Sequence, residues 1–182
     1  GRTGKLFAVE HYGVVPDIMC MAKGIAAGFP LGAFIAKPEI ADSFTPGSHL
    51  STFGGSPVSC AAAIANLEVF AEEKLCENSQ KRGLFIMGKL KELESELKIV
   101  GNVRGKGLMI GVELVKDSNK TPAVEETKAA KAKCRELGML VGLGGSLGNV
   151  IRLQPPLTIT EDDANRIVKT LSTVLRELNK SI

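Results

Sequence analysis

Two unbroken apolar runs near the start of the chain limit most strongly what it can fold into. Residues 18–22 read I-M-C-M-A and residues 31–36 read L-G-A-F-I-A, each about the length of a strand. Such runs favour strands buried on both faces of a larger sheet, with a buried helix as the alternative. Two strands do not make a stable sheet alone. We therefore expect their neighbours to come from sequence upstream of Gly1 or from another chain, and interpret the sequence as the C-terminal part of a longer protein.

Charge and composition argue against several classes of partner. The 23 Lys and Arg residues barely outnumber the 20 Asp and Glu residues and are not clustered, so we expect neither nucleic acid nor a membrane as partner. The absence of Trp and the 4% aromatic content leave no platform for single-stranded nucleic acid. No apolar run approaches the roughly 20 residues of a membrane span. Without a signal peptide export has no support, and we expect an intracellular location, cytoplasmic or mitochondrial.

The four cysteines are widely spaced, and none belongs to a C-x-x-C pair. This spacing favours reduced, mostly buried thiols over a disulfide framework or a structural zinc site. Only two histidines, His11 and His49, are present. No metal site is therefore expected.

The middle of the chain is predicted to form two helices. Ser56 is a suitable N-cap and Pro57 suits the first helical turn, which predicts a helix from Pro57 to about Glu73. A second helix is expected over residues 79–97. Its apolar stripe is expected to consist of Leu84, Met87, Leu90, Leu93 and Leu97.

From Ile99 onward the pattern is that of a small α/β domain. Alternating apolar residues predict a half-buried strand with inward-facing Leu108, Ile110, Val112 and Leu114. A helix is expected over residues 124–137, with strands over residues 139–143 and 150–153. The last helix is predicted to begin with a capping box of Thr160 and Asp163. Its buried stripe is expected to be Ala164, Ile167, Val168, Leu171, Val174, Leu175 and Leu178.

Lys23 ends the first apolar run and precedes a loop of small residues. An ammonium at the end of a buried strand loses hydration, which lowers its pKa and exposes a nucleophilic amine, as in lysines that form Schiff bases. The alternative is a lysine whose long side chain leaves the strand for solvent. From the local pattern alone, this alternative is the more frequent case.

The segment T-F-G-G-S-P, residues 52–57, is a candidate anion site. Its small residues let a phosphate approach the backbone, the following helix offers unpaired N–H groups, and Thr52 adds a hydroxyl. An ordinary capped helix after a loop is the alternative, and it is more common.

Arg152 lies in the apolar strand segment V-I-R-L. A guanidinium in such a strand needs an anionic partner, and a carboxylate bound through two hydrogen bonds is the natural one. That carboxylate can belong to a substrate or to an acidic side chain of the protein. Burial arguments alone favour neither.

Taken in order, six segments resemble the second half of class III (ω-amino acid) aminotransferases, which depend on pyridoxal phosphate. They are G-R-T-G-K (1–5), V-V-P-D-I-M-C-M-A-K-G (14–24), P-L-G-A (30–33), S-T-F-G-G-S-P (51–57), V-R-G-K-G-L-M-I-G-V-E-L (103–114) and I-R-L-Q-P-P-L-T-I-T (151–160). The ordered set is far more specific than any single motif. The resemblance extends furthest to the alanine–glyoxylate aminotransferase 2 branch, while acetylornithine, ornithine and 4-aminobutyrate aminotransferases share much of the pattern.

The resemblance implies an α/β protein with fold type I, the aspartate aminotransferase-like fold of pyridoxal-phosphate-dependent transferases. Residues 1–73 would be the C-terminal part of the large cofactor-binding domain with the start of the connecting helices. Residues 74–182 would be the small C-terminal α/β domain. The family assembles as a homodimer, or as a dimer of dimers, whose subunits share active sites.

The resemblance also implies roles for single residues. Lys23 would form the Schiff base with pyridoxal phosphate and carry the proton, Thr52 would bind the cofactor phosphate of the neighbouring subunit, and Arg152 would bind a substrate carboxylate. The implied activity is a ping-pong transamination. It would join an amino acid, such as alanine or an ω-amino acid, to an oxo acid such as glyoxylate, pyruvate or 2-oxoglutarate.

Part of the family's cofactor site lies outside these residues. The aspartate that pairs with the pyridine nitrogen, the main phosphate-binding loop and the aromatic residue stacked on the ring all precede G-R-T-G in the family. We therefore expect the 182 residues alone to be inactive. Two alternatives stay open: a same-fold enzyme with other cofactor chemistry, such as an aminomutase or decarboxylase, and a non-catalytic fragment that acts as an interaction module.

Overall fold

The computed structural model describes residues 1–182, apart from the side chain of Ser181. The chain divides into two compact units. The 9–74 unit is Val9–Lys74, and the α/β unit is Leu75–Ile182 together with Gly1–Ala8. Our sequence-based division groups residues 1–8 with residues 9–73, whereas in the structure they pack with the α/β unit.

After residue 17 the chain forms strands mostly in consecutive pairs, with helices between the pairs. They are β1 (Ile18–Met21), β2 (Ala33–Ala36), α1 (Pro38–Ala41), α2 (Pro57–Glu72), α3 (Leu75–Glu96), β3 (Val100–Lys106), β4 (Met109–Leu114), α4 (Val124–Glu136), β5 (Gly142–Gly144), β6 (Val150–Leu153) and α5 (Glu161–Leu178). Short 3-10 helices occupy Ala8–Tyr12, Lys23–Ala26 and Asn179–Ser181. No helix among the described residues has the length and apolarity of a membrane span.

The α/β unit is built on a four-stranded antiparallel sheet with the order β3-β4-β6-β5. The predicted alternation is confirmed, because Leu108, Ile110, Val112 and Leu114 are buried while Met109 is exposed. The predicted strand over residues 150–153 is confirmed as β6. The inward side chains of the sheet join apolar residues of α3, α4 and α5 in one core.

The strand predicted over residues 139–143 is wrong in its bounds, since β5 covers only Gly142–Gly144. The amide of Met139 instead donates to the carbonyl of Cys134 at 2.8 Å, a hydrogen bond that closes the C-terminal end of α4. Leu140 is 86% exposed. Met139, which its apolar character places in the predicted strand, is therefore hydrogen-bonded to the end of helix α4.

Helix α3 starts earlier than predicted and buries a different stripe. The buried side, which follows helical spacing through Ser79, Gly83, Ile86, Leu90 and Leu93, excludes the predicted Leu84. Leu84 is 61% exposed, because a residue next to Gly83 is turned away from the sheet by about 100°. The prediction missed Gly83 because a residue without a side chain adds nothing to an apolar stripe.

Gly83 lies against the turn between β3 and β4. A Cβ atom added there would lie 2.0 Å from the carbonyl oxygen of Gly107. One turn earlier, the buried Ser79 hydroxyl donates to the carbonyl of Arg2 at 2.7 Å and accepts from the amide of Leu108 at 3.2 Å. The same Arg2 carbonyl accepts from the Leu108 amide at 2.9 Å. Helix, sheet turn and N-terminal segment therefore meet at this point.

Helix α5 is the most amphipathic helix, and its predicted start is confirmed. The Thr160 hydroxyl accepts from the amide of Asp163 at 3.1 Å, and the Asp163 carboxylate accepts from the amide of Thr160 at 2.9 Å. The carboxylate also accepts from the Thr160 hydroxyl at 2.8 Å, and its hydrogen bonds from the amide and the hydroxyl of Thr160 hold the pKa of Asp163 below its usual range. Of the predicted stripe, Ile167 and Val168 are only partly buried, whereas the other members are buried.

In the 9–74 unit, the two apolar runs form β1 and β2, which pair antiparallel as a two-stranded sheet. The prediction that both strands are buried on both faces of a larger sheet relies on neighbouring strands from outside these residues, and it stays a prediction. Ile18, Phe34 and Ile35 are each about half exposed. No further strand among the described residues pairs with this sheet, so its two outer edges have no strand partner there.

Helix α2 begins at Pro57, as predicted. Ser56 occupies the N-cap position, but the prediction that its side chain caps the helix is wrong. Its backbone serves instead: the carbonyl accepts from the amide of Cys60 at 2.9 Å, and the amide donates to the carbonyl of Phe53 at 3.2 Å.

All four cysteines are free thiols, as expected, but they are not mostly buried. Cys20 is exposed, Cys60 and Cys76 are half-buried, and only Cys134 is buried. Burial raises the pKa of the Cys134 thiol to about 11. Its thiolate is therefore scarce at neutral pH.

We expect Gly83→Ala to destabilise the protein by about 3 kcal/mol, because the new methyl group collides with the backbone at Gly107. Gly88→Ala in the same helix is the matched control, since nothing lies within 4 Å of its added Cβ. That control is expected to be neutral or stabilising by up to about 1 kcal/mol. Urea unfolding checks both, and equal midpoints for the two variants would contradict the close approach.

We expect Cys134 to resist a thiol-specific reagent at pH 8 until the protein unfolds. It is fully buried and its raised pKa leaves little thiolate to react. Peptide mapping after labelling with and without urea provides the measurement, with the exposed Cys20 as internal reference. Equal labelling of both thiols in the folded protein would contradict this.

Candidate active site

Lys23 lies two residues after the end of β1 and begins the 3-10 helix Lys23–Ala26. Its backbone has a φ of 54°, the left-handed region that side-chain-bearing residues rarely adopt, whereas Ala22 before it is extended. Such strain, about 1–3 kcal/mol, persists where the surrounding structure enforces it and is frequent at functional sites. The backbone therefore turns sharply at the residue that sequence analysis singled out.

The side chain of Lys23 is exposed. In the described chain the side chain thus lies in solvent, which corresponds to the alternative that the local pattern favoured. Among the described residues, no acidic side chain forms an ion pair with its Nζ. The amine is thus available to an electrophile.

A residue that the sequence analysis missed holds the loop of Lys23 in place. The side-chain amide of Asn66 in α2 donates to the carbonyl of Gly24 at 3.0 Å and to that of Ile25 at 3.2 Å. These contacts join α2 to the turn that carries the lysine. The available signal was a lone amide within the Ala-rich helix, which does not by itself indicate its partner.

Thr52 lies in the same unit, in the exposed loop before α2. The loop turns at Gly55, which has a φ of 66°, and leads into the first turn of the helix. The exposed hydroxyl of Thr52 and the N–H groups of that turn are donors of the type that bind phosphate.

Arg152 lies in the other unit, on β6, and is exposed. Among the described residues, no acidic side chain forms an ion pair with it. Glu113, on neighbouring β4, is paired with Arg104 at 2.5 Å. A structural ion pair is thus not found among the described residues. The N–H groups of the guanidinium can therefore donate to the carboxylate of a substrate.

The three candidate residues are therefore divided between the units: Lys23 and Thr52 belong to the 9–74 unit, and Arg152 belongs to the α/β unit. No group of three or more His, Cys, Asp or Glu side chains suited to a metal ion occurs in the described part of the chain. The functional groups available for chemistry are the amine of Lys23, the hydroxyl of Thr52 beside the start of a helix, and the guanidinium of Arg152.

Comparisons with known proteins give a consistent result. The chain is 49% identical to alanine–glyoxylate aminotransferase 2 homolog 2 of Arabidopsis thaliana, covering 93% of this chain and 36% of the relative. It is 44% identical to an alanine/serine racemase of Pyrococcus horikoshii, covering 97% of this chain and 37% of that protein. The chain thus spans about two fifths of the length of the curated relatives it matches.

A solved structure matches as well. It is an amine transaminase from an uncultivated Pseudomonas species in its PLP-bound form, with a TM-score of 0.88 and 37% identity, covering 98% of this chain and 42% of that one. This likeness shows that the chain has the fold of the pyridoxal-phosphate-dependent aminotransferases. The family model of class III aminotransferases matches residues 1–175. The chain belongs to the class III aminotransferase family.

Proposed function

We propose that the protein containing this chain is a transaminase that uses pyridoxal phosphate, the cofactor on which class III aminotransferases depend. The observation that carries the proposal is Lys23: an exposed amine without an acidic partner, on a strained turn that Asn66 holds from α2. Lys74 and Lys120 are also exposed lysines with a positive φ, so what distinguishes Lys23 is the pair of hydrogen bonds from Asn66 to the turn that carries it.

The residues present fit this cofactor. Its aldehyde requires a primary amine free of ion pairs, which Lys23 offers, and its phosphate requires donors such as the Thr52 hydroxyl. When bound, the cofactor supplies a covalent link to the amine and a ring that takes up negative charge from the substrate carbon. In the whole protein, we propose, residues 1–73 belong to the large domain and residues 74–182 to the small domain.

Each of the three side chains has a role in the proposed reaction. Lys23 Nζ holds the cofactor between turnovers and, once released, moves a proton from the substrate carbon, acting first as general base and then as general acid. Arg152 binds the substrate carboxylate and so orients the carbon–hydrogen bond towards that amine. The Thr52 hydroxyl donates to the cofactor phosphate of the neighbouring subunit in a homodimer or a dimer of dimers.

The proposed substrates are an amino acid, such as alanine or an ω-amino acid, and an oxo acid such as glyoxylate, pyruvate or 2-oxoglutarate. The alanine–glyoxylate relative supports this substrate class. The two half-reactions alternate on one site, which corresponds to ping-pong kinetics.

Racemisation is a second candidate, because a relative 44% identical over nearly the whole chain is named an alanine/serine racemase. The same lysine would serve, since proton removal from the substrate carbon is common to both reactions. Incubation of the protein with L-alanine alone separates the candidates: D-alanine without added oxo acid favours racemisation. The same product analysis detects aminomutase or decarboxylase chemistry.

In the full-length protein, we expect Lys23→Ala to lower kcat by about 10⁴-fold or more, because the amine that moves the proton is lost. Borohydride treatment of the protein with pyridoxal phosphate is expected to leave a reduced adduct on Lys23 of the unsubstituted protein and none in the variant.

Lys120→Ala is the matched control for this experiment, since Lys120 is also an exposed lysine in the left-handed region, with a φ of 61°. It is expected to keep both activity and adduct. Near-normal turnover in Lys23→Ala, or an adduct on another lysine, would contradict the proposal, and a non-catalytic role would then gain support.

We expect Arg152→Lys to raise KM for carboxylate-bearing substrates by about tenfold, since an ammonium cannot make the paired contact of a guanidinium and about 1.4 kcal/mol of binding is lost. Steady-state kinetics with alanine and with an oxo acid provide the measurement. Arg104→Lys, on the same sheet but already paired with Glu113, is the control. Unchanged KM values in Arg152→Lys would exclude the carboxylate role.

A further inference from the structure

Arg152 lies between two glycines in the sheet. In the register of the strands, it is directly opposite Gly111 of β4 on one side and Gly142 of β5 on the other. Residues directly opposite in an antiparallel pair present their side chains on the same face of the sheet. Neither neighbour therefore has a side chain against which the arginine could pack. The direction of the Arg152 side chain depends on which of the two glycines it lies over.

The arginine side chain lies over β5. A Cβ atom added at Gly144 would be 2.8 Å from Cδ and 3.2 Å from Nε of Arg152. One added at Gly142 would be 3.4 Å from both Nε and Nη2. These two glycines, one directly opposite and one diagonal, therefore form the surface on which the aliphatic stem and the guanidinium rest.

The other side of Arg152 differs. A Cβ atom added at Gly111 would meet Cγ1 of Val150 at 3.2 Å and the backbone oxygen of Arg104 at 4.0 Å, with no atom of Arg152 within that range. The guanidinium is thus directed towards β5 and away from β4.

The backbone does not explain the glycines of β5. Positive φ angles occur at Gly145 and Gly148 in the following turn, whereas Gly142 and Gly144 have none. Glycine in a strand weakens it and often marks a close approach by another group. Here the atoms nearest to both added Cβ positions belong to the side chain of Arg152.

We propose that Gly144, and to a smaller extent Gly142, are positioning residues for substrate binding: by leaving β5 without side chains, they set the course of Arg152 and thereby the place where its guanidinium receives a carboxylate. The inference rests on the proposed function, in which Arg152 binds the substrate carboxylate. A methyl group at residue 144 displaces the stem near Cδ, and a displacement there moves the guanidinium as a whole.

The test is a double-mutant cycle in the full-length holoenzyme, with alanine as the substrate. Gly144→Ala is expected to raise KM about tenfold while kcat changes less than twofold, because an orienting group is displaced by roughly 1 Å. Combined with Arg152→Ala, it is expected to add nothing to the KM of Arg152→Ala, since the arginine it displaces is absent. A merely structural role would add its effect in both backgrounds.

Two further variants test whether the rise in KM follows the distance between the added methyl group and Arg152. Gly142→Ala meets the guanidinium only at contact distance, and it is expected to raise KM by about twofold to threefold. Gly111→Ala, opposite Arg152 on the other side, is the matched control and is expected to leave KM unchanged. If Gly144→Ala does not fold, Gly142→Ala carries the test in the same cycle.

Equal KM values for Gly144→Ala and Gly111→Ala would overturn the inference, and so would an effect that persists without Arg152. If Arg152→Ala itself leaves KM unchanged, the proposed role of the arginine fails, and the inference fails with it. A raised KM in Arg152→Ala with no effect of either β5 substitution refutes the inference alone.

Discussion

The close approach of α3 to the β3–β4 turn is the contact on which the α/β unit depends. Gly83 leaves room for the backbone at Gly107, and the Ser79 hydroxyl joins Leu108 to Arg2 beside it. The helix, the sheet and the N-terminal segment are thereby fixed to one another before any side chain of the site is considered. Arg152 lies two strands away from β3 in that sheet, so it is held by a regular element, which gives more precise geometry than a loop does.

The 9–74 unit is stabilised differently. Its buried residues are few, and Phe53, Val15 and Leu50 are each more than 80% exposed. Exposed apolar surface of this extent is typical of surfaces that bind other protein. The chain spans about two fifths of the length of its relatives. Within the unit, hydrogen bonds from Asn66 join α2 to the turn after Lys23, and an exposed ion pair joins Lys37 to Asp17.

Features that depend on neighbours in sequence could be predicted, and features that depend on distant contacts could not. The alternation in β4 and the capping box of Thr160 and Asp163 are local, and both are confirmed. The buried face of α3 depends on what lies opposite, and that prediction failed at Leu84. For the site, the local pattern around Lys23 favoured an ordinary surface lysine, and the ordered family motifs reversed that interpretation. Asn66 was missed because its partners are about 40 residues away.

Helix α2 has a mechanical consequence. The helix begins five residues after Thr52. Nine residues further on, about 14 Å along its axis, Asn66 donates hydrogen bonds to the two carbonyls that follow Lys23. A continuous helix has a fixed rise per residue, so α2 sets the axial distance between the loop of Thr52 and the contacts of Asn66. The distance between loop and turn is thus governed by a stiff spacer, and lengthening or kinking it would alter both ends together.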